Sequence, residues 1–350
     1  MKNSGKSIEI FAGLNTVDGY SSLLEYELKN SKKVIILKGS PGSGKSTILK
    51  RLLSYAEAKG EKTDIVRCSS DMDSFDALIF NNAGVAIADG TFPHVLEPKT
   101  VAVRERIENL GETFDYKKIF AKSAELKAFY DLKEQYYKMA YSLISAYGGI
   151  ENALYALSEK YIDKEKINNF CESFIKKNLK KGSGITKILP TESFCRYGFV
   201  STGCFNDSKT TYCINDSFGI GEEIMTAMYA KCVLKEIEVF AAPSPCDCKK
   251  VCALYFPDSD VYIKIDKYMP FKAQKNVRAV RFLTNPDGIK FVKQRKKFYD
   301  KIASSLIKEA ASCMNNACIV HAELENIYSQ AIDFELTDKI TAKLKKEIFE

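Results

Sequence analysis

The chain is short of the features that mark several protein classes. No apolar run is long enough to span a bilayer, so no transmembrane helix is expected. The first apolar stretch is brief and charged residues soon interrupt it, so no secretory signal peptide is expected either. Histidine is scarce, with two in 350 residues. Neither the H-E-x-x-H pattern of zinc hydrolases nor a Ser-His-Asp nucleophile elbow occurs. No aromatic-interleaved RNA motif or zinc finger accompanies the lysines at 176–187 and 293–301. These read as solvated helix faces, and nucleic acid is not an expected partner.

What remains describes a soluble globular protein. Hydrophobic residues make up 45% and charged residues 28%, the net charge is a modest +7, and the length suits two domains. Eleven cysteines without a secretory signal point to free thiols in a reducing cytoplasm. Three of them, Cys246, Cys248 and Cys252, have metal-like spacing. They lack a fourth partner nearby, so they read as buried thiols.

One stretch carries most of the information. Val34-Ile35-Ile36-Leu37 is a strand-like run, and Gly39-Ser40-Pro41-Gly42-Ser43-Gly44-Lys45-Ser46-Thr47 follows closely. The pattern G-x-x-x-x-G-K-S is the phosphate-binding loop of P-loop NTPases. Its glycines let the backbone curl so that N–H groups converge on phosphate oxygens at a helix N-terminus. Lys45 can reach the β- and γ-phosphates, and the Ser46 hydroxyl can ligate Mg²⁺. The context predicts a strand over 33–38 and an amphipathic helix over 47–58. Ser4-Gly5-Lys6-Ser7 spells part of the same motif without a preceding strand, and reads as a terminal segment.

Further strands are predicted at 63–68, 77–80 and 84–89, with acids at or just beyond two of their carboxyl ends. This is the α/β, doubly wound parallel-sheet pattern of P-loop NTPases, in which ligands sit at those ends. From 117 to 146 the chain reads as helix, broken by Gly148-Gly149. Helices at 151–162 and 164–181 precede a hinge-like Gly182-Ser183-Gly184. The expected partition is a P-loop core (1–115), a helical extension and linker (116–185), a degenerate second P-loop-like domain (186–285) and a C-terminal helical extension (286–350).

That second domain emerges from a faint repeat. Gly219-Ile220-Gly221-Glu222-Glu223 aligns with Gly42-Ser43-Gly44-Lys45-Ser46. Ala77–Phe80 aligns with Ala253–Phe256, and Val85–Ile87 with Val261–Ile263, all at an offset of about 176 residues. Leu154, Ile162, Asp163 and Glu165 align with Leu324, Ile332, Asp333 and Glu335. A tandem duplication is expected, with its second copy disarmed. Glu222 stands for Lys45 and Asp216 for Gly39, and a carboxylate facing polyphosphate costs on the order of several kcal/mol. This predicts a pseudo-NTPase half used for packing, regulation or partner binding.

Phe11-Ala12-Gly13-Leu14-Asn15-Thr16, the loop at 39–47, Cys68-Ser69-Ser70-Asp71-x-x-Ser74-x-Asp76, Asp89-Gly90-Thr91-x-Pro93-His94 and Asn109-Leu110-Gly111 together carry a resemblance. The chain is similar over most of 10–160 to a little-characterised bacterial family of duplicated P-loop proteins, usually described only as ATPases or ATP-binding proteins. The resemblance implies the fold and ATP binding. In those relatives the second half also keeps a phosphate loop and an x-x-Pro-His segment. Here Lys267-Tyr268-Met269-Pro270 falls where that segment belongs.

The expected site is assembled around these residues. Asp89 ends a strand and would support Mg²⁺ alongside Ser46. Gly90 follows it, where ATPases of the additional-strand type place a catalytic Glu. Asp71, past the second strand, is a candidate base or nucleophile-orienting group. His94 is a candidate γ-phosphate sensor or proton shuttle, with a buried, backbone-bonded histidine as the alternative. Arg104 and Arg106 fit surface ion pairing better than a transition-state finger. The absence of N-K-x-D favours adenine, so the expected cofactors are ATP and Mg²⁺. The expected activity is ATP hydrolysis or an ATP-driven switch. A small-molecule or nucleotide kinase is disfavoured because 116–181 contains no arginine for a lid, and a non-catalytic nucleotide-gated scaffold is the third reading. A protein partner or homo-oligomer contact is left open for the helical segments and the second half.

Overall fold

A computed structural model of the chain describes residues 7–216, 218–284 and 286–350, and at 286–289 the backbone alone. Residues 4–6 of the partial motif near the start lie outside the described residues. The first half forms strands β1 (Glu9–Phe11), β2 (Gly13–Thr16) and β3 (Gly19–Ser22), helix α1 (Leu24–Leu28), β4 (Lys33–Lys38) and α2 (Lys45–Ala58). It continues through β5 (Thr63–Arg67), β6 (Phe75–Phe80), β7 (Val85–Asp89), β8 (Glu105–Asn109), α3 (Tyr116–Ala121), α4 (Ser123–Glu159) and α5 (Lys164–Asn178). The second half forms β9 (Thr186–Ile188), β10 (Glu192–Cys195), β11 (Gly198–Ser201), β12 (Thr210–Asn215) and α6 (Gly221–Leu234). It ends with β13 (Val239–Ser244), β14 (Asp247–Phe256), β15 (Val261–Ile265), β16 (Lys275–Arg278), α7 (Pro286–Ser329) and α8 (Phe334–Phe349).

The chain divides into two compact units. One comprises Met1–Gly13, Ser22–Ala140 and Ser312–Glu350, the other Leu14–Ser21 and Tyr141–Ala311. The first holds a six-stranded sheet in the order β1-β5-β6-β7-β4-β8. It is mixed rather than wholly parallel, because β6 runs antiparallel to both β5 and β7. The reason lies in the connections. Residues 81–84 link β6 to β7, with Gly84 at φ 70°. A link this short closes a hairpin, whereas a parallel crossover needs about a dozen residues. Strand β4 is buried on both faces between parallel β7 and β8. Ile35, Leu37, Ile48, Leu49, Leu52 and Phe80 form the core, closed by Leu344 and Ile348 of α8.

The second unit carries a six-stranded sheet in the order β16-β12-β15-β14-β13-β9. Read from its other edge, it matches the first strand for strand. β14 is antiparallel to both its neighbours, and β12 lies between parallel β15 and β16. The two-stranded sheets β2-β3 and β10-β11, and helices α2 and α6, also correspond. The two sheets fit a tandem arrangement on an α/β P-loop NTPase-like fold.

The helical extensions are exchanged. α5 follows the first sheet in sequence yet packs on α6 in the second unit. α8 follows the second sheet yet packs on α2 in the first. Each is fixed in the same way. Asp333 N donates to Thr113 O at 2.8 Å and Asp163 N donates to Phe282 O at 2.8 Å. Each Asp then caps its helix, accepting from Leu336 N and Lys166 N respectively. The matching Asp163/Glu165 and Asp333/Glu335 pairs are therefore helix starts.

The predicted break at Gly148-Gly149 does not occur, and α4 runs through it. A Cβ at Gly148 would come within 2.4 Å of Val17 Cγ1, so the glycine serves close packing rather than termination. Among the described residues, no helix is long and apolar enough to cross a membrane.

Candidate functional site

The phosphate loop leaves β4 at the carboxyl edge of the first sheet. Gly42 and Gly44 adopt left-handed φ values of 72° and 87°, which side-chain-bearing residues take only under strain. A Cβ on Gly39 would meet Ser43 Oγ at 2.5 Å, and one on Gly42 would meet the Glu325 carbonyl oxygen at 2.6 Å. Gly44 is the N-cap of α2, and no side chain caps the helix start. An uncapped helix start beneath a glycine curl is the geometry that receives an anion.

Lys45 Nζ donates to Gly39 O at 2.8 Å and Ser40 O at 2.9 Å, and lies 3.7 Å from Asp89 Oδ2. The register explains the pairing. Asp89 ends β7 directly beside Leu37 of β4, so the acid and the loop emerge from the same sheet edge. Asp89 Oδ1 accepts from Thr91 N at 2.9 Å and Thr91 Oγ1 at 2.6 Å, which leaves Oδ2 facing the lysine. Ser46 sits in the first turn of α2, half-buried, and Thr47 is exposed.

The other predicted residues are placed less centrally. Asp71 lies in the turn between β5 and β6, where its Oδ1 accepts from Asp73 N at 3.3 Å. His94 is buried, its Nε2 2.8 Å from Asp76 Oδ2. Burial pulls its pKa down, but the Asp76 carboxylate outweighs that and leaves it above its ordinary value. A carboxylate is thus one of its partners. Arg104 donates to Ser31 O and Leu28 O and pairs with Glu105; Arg106 pairs with Glu108 and Glu347. Both guanidiniums are consumed in ion pairs and backbone bonds. Cys246 and Cys252 are buried and Cys248 is exposed.

Two neighbours of the loop were not anticipated. Lys133 of α4 and His321 of α7 approach each other, Nζ to Nδ1 3.2 Å, near enough to Lys45 for its charge to act on both. Burial, then the charges of Lys133 and Lys45, lower the His321 pKa to about 4, with Asp89 opposing them. Burial and Lys45 likewise lower that of Lys133, against the thiols of Cys318 and Cys68. The outcome is a cluster of basic groups beside an anion-binding loop. The only hint in the sequence was the scarcity of histidine, since both histidines belong to this unit.

In the second unit the turn between β12 and α6, at the matching place in the sheet order, is built differently. The Asp216 carboxylate accepts from Phe218 N at 3.1 Å, Ile220 N at 3.2 Å and Gly221 N at 2.9 Å. Ile220 and Gly221 match Ser43 and Gly44 of the first loop, so the Asp216 carboxyl occupies the turn where a phosphate would otherwise be received. Glu222 turns into a buried network, accepting from Ser244 Oγ at 2.6 Å and from Tyr268, with Lys267 at 3.4 Å and Lys250 at 3.6 Å. Burial would raise its pKa, but the two lysines and the hydroxyl donors hold it below the ordinary value. The expected charge repulsion from Glu222 is therefore largely neutralised, and the Asp216 plug is the more direct obstacle.

Residues 33–120 match the family model of the CobW/HypB/UreG nucleotide-binding domain. The matched segment holds the phosphate loop, Asp71, Asp89 and His94. It is therefore a nucleotide-binding P-loop domain. No curated protein and no solved structure matches the chain.

Proposed function

We propose that the protein is a Mg²⁺-dependent ATPase acting as a slow nucleotide switch, with one live site in the first unit. The observation that carries this is the uncapped glycine loop with Lys45 and Asp89 converging from adjacent strands. Gly39 to Thr47 would wrap the phosphates, and Lys45 would leave its two carbonyl partners to bridge the β- and γ-phosphates. The Ser46 hydroxyl and Asp89 carboxylate are hard oxygen donors that fit Mg²⁺, which would offset charge developing on the phosphate oxygens. Asp71 would orient the attacking water. His94, on the loop that leaves Asp89, would act by holding that loop.

Slow turnover follows from Gly90. A Cβ there would lie 2.3 Å from Ile36 Cγ2, so the position after Asp89 has no room for a catalytic carboxylate. ATP is proposed as the nucleotide because N-K-x-D is absent. We also infer that the chain is a duplicated unit, each copy a core (1–115 and 186–285) followed by a helical extension (116–185 and 286–350). The identical strand orders support this.

Product analysis with ATP and GTP tests the reading. Free phosphate released slowly, faster from ATP, is the expected result. A phosphorylated acceptor would mean a kinase, and unchanged ATP a scaffold. Asp89→Ala should weaken Mg²⁺-ATP binding more than binding of metal-free ATP, measured by titration with and without EDTA. Retained Mg²⁺ dependence would remove Asp89 from the metal.

A pH dependence also follows. The His321 pKa of about 4 is depressed from the ordinary 6.5. Its contribution to stability is therefore complete above the unfolded value and fades as pH falls towards 4. A bound triphosphate would favour the charged ring, so ATP affinity should rise on acidification from pH 7 to 5.5. The side chain is 42% exposed, so screening limits the gain to about a few-fold. His321→Gln should flatten that slope in parallel titrations.

A further inference from the structure

Helix α4 brings an ammonium without a counter-charge towards the phosphate loop. Lys133 is half-buried, and among the described residues no carboxylate lies at ion-pair distance from it. Its partner is His321 of α7, Nζ to Nδ1 3.2 Å, with the Tyr130 ring 5.8 Å away. An ammonium offers only donors, so Nδ1 accepts and the imidazole aims the cation. The buried lysines of the second unit are built otherwise: Lys264 pairs with Glu192, and Lys267 with Glu151 and Glu222. A cation withdrawn from water needs an anion to offset its lost hydration, and around Lys133 the described residues supply none in contact.

The placement says which anion is missing. The backbone of α7 rests on the loop, where a Cβ on Gly42 would meet the Glu325 carbonyl oxygen at 2.6 Å. His321 lies one turn earlier on the same helix face. The Lys45 charge lowers the pKa of both Lys133 and His321, and Asp89 acts on His321 in the opposite sense. Lys45 and Asp89 are the groups proposed to meet the outer phosphates and Mg²⁺, so the pair stands at that end of the nucleotide and not beside the base. Within the loop, Ser43 is fully buried and its hydroxyl has no hydrogen-bond partner among the described residues. One phosphate chain would satisfy that hydroxyl and the ammonium together. Lys133 and His321 both lie outside residues 33–120, the segment matched by the family model.

We propose that Lys133, aimed by His321, binds the terminal phosphate of a nucleoside triphosphate and makes the site prefer triphosphate over diphosphate. This rests on the reading of the loop as the nucleotide site. Lys45 meets the β-phosphate of either nucleotide, whereas Lys133 has a partner only while the γ-phosphate is present. Loss of that phosphate leaves the ammonium unpaired again and weakens the hold on the diphosphate. Lys133 is thus a specificity-determining residue, and His321 a positioning residue that acts through it.

Calorimetric titration of the full-length protein with Mg²⁺-ADP and with the β,γ-imido analogue of Mg²⁺-ATP reads this preference, with the guanine pair titrated in parallel. The wild type is expected to bind the triphosphate analogue at least about tenfold more tightly than the diphosphate, the ratio that one charge-assisted hydrogen bond supplies. Lys133→Ala should bring the ratio to within about twofold of unity by weakening the triphosphate alone. Lys133→Arg keeps the cation and should restore most of the ratio. His321→Ala should lower it without abolishing it. Lys138→Ala, which removes an exposed lysine of the same helix paired with Glu134, should change neither affinity. The proposal is overturned if the wild type binds both phosphate lengths equally, or if Lys133→Ala weakens both in equal proportion or neither. The nucleotide reading fails differently, through a folded wild type that binds no member of either pair, and takes this proposal with it. Should Lys133→Ala fail to fold, as judged by circular dichroism, Lys133→Gln, which keeps most of the stem, decides in its place.

Discussion

Lys45→Ala is expected to abolish nucleotide binding, with affinity for Mg²⁺-ATP falling at least about 100-fold in calorimetric titration. The lysine side chain is 11% exposed and sits between two loop carbonyls and Asp89. A charge-assisted hydrogen bond contributes roughly 1.5–3 kcal/mol, and two phosphates would each receive one. Their joint loss corresponds to the predicted change before any Coulomb attraction is counted. The fold should survive, because the alanine leaves no buried cation and Asp89 keeps its bonds to Thr91. A folded variant that still binds ATP with wild-type affinity would show that the loop is not the nucleotide site.

Glu222→Ala, at the position the proposed duplication sets against Lys45, should behave in the opposite way. ATP binding stays unchanged, while the unit containing it loses about 3 kcal/mol of stability in urea unfolding. Glu222 accepts from Ser244 and Tyr268 and neutralises Lys267, whose own pKa rises because Glu222 and Glu151 outweigh its burial. Removing one member of a buried pair commonly costs about 3–5 kcal/mol. The lower end applies because Glu151 remains 2.9 Å from Lys267. Unchanged stability would mean that the network is incidental. A binding loss equal to that of Lys45→Ala would mean that the second copy still takes part in nucleotide chemistry.

The contrast between these two positions shows what the sequence could and could not say. The phosphate loop was legible because its chemistry is local: the glycines, Lys45 and Ser46 are contiguous, and Asp89 is set by strand register. The few aligned residues that suggest a repeat are compatible with the matching strand orders of the two sheets. The antiparallel β6 could have been read from the brevity of 81–84 and was not. Gly148-Gly149 misled because a glycine pair signals a break only where the packing does not need one, and Val17 needs Gly148 bare.

Other features were hidden in principle. Lys133 and His321 reach the loop from α4 and α7, far away in sequence, and ordinary helix-face residues give no sign of where they will meet. The exchange of α5 and α8 depends on which buried face each helix fills, and local propensity does not encode that. In the sequence Asp216 shows only as an acid where the first loop has Gly39. That its carboxylate would fold back onto the amides of Phe218, Ile220 and Gly221 follows only from the three-dimensional turn.

The proposed reading, one live loop and one self-plugged loop in a single chain, predicts a definite number. Calorimetric titration of Mg²⁺-ATP into the full-length wild type should give one site per chain. Two sites per chain would contradict the plugged second loop, and no binding to a folded protein would contradict the live first one.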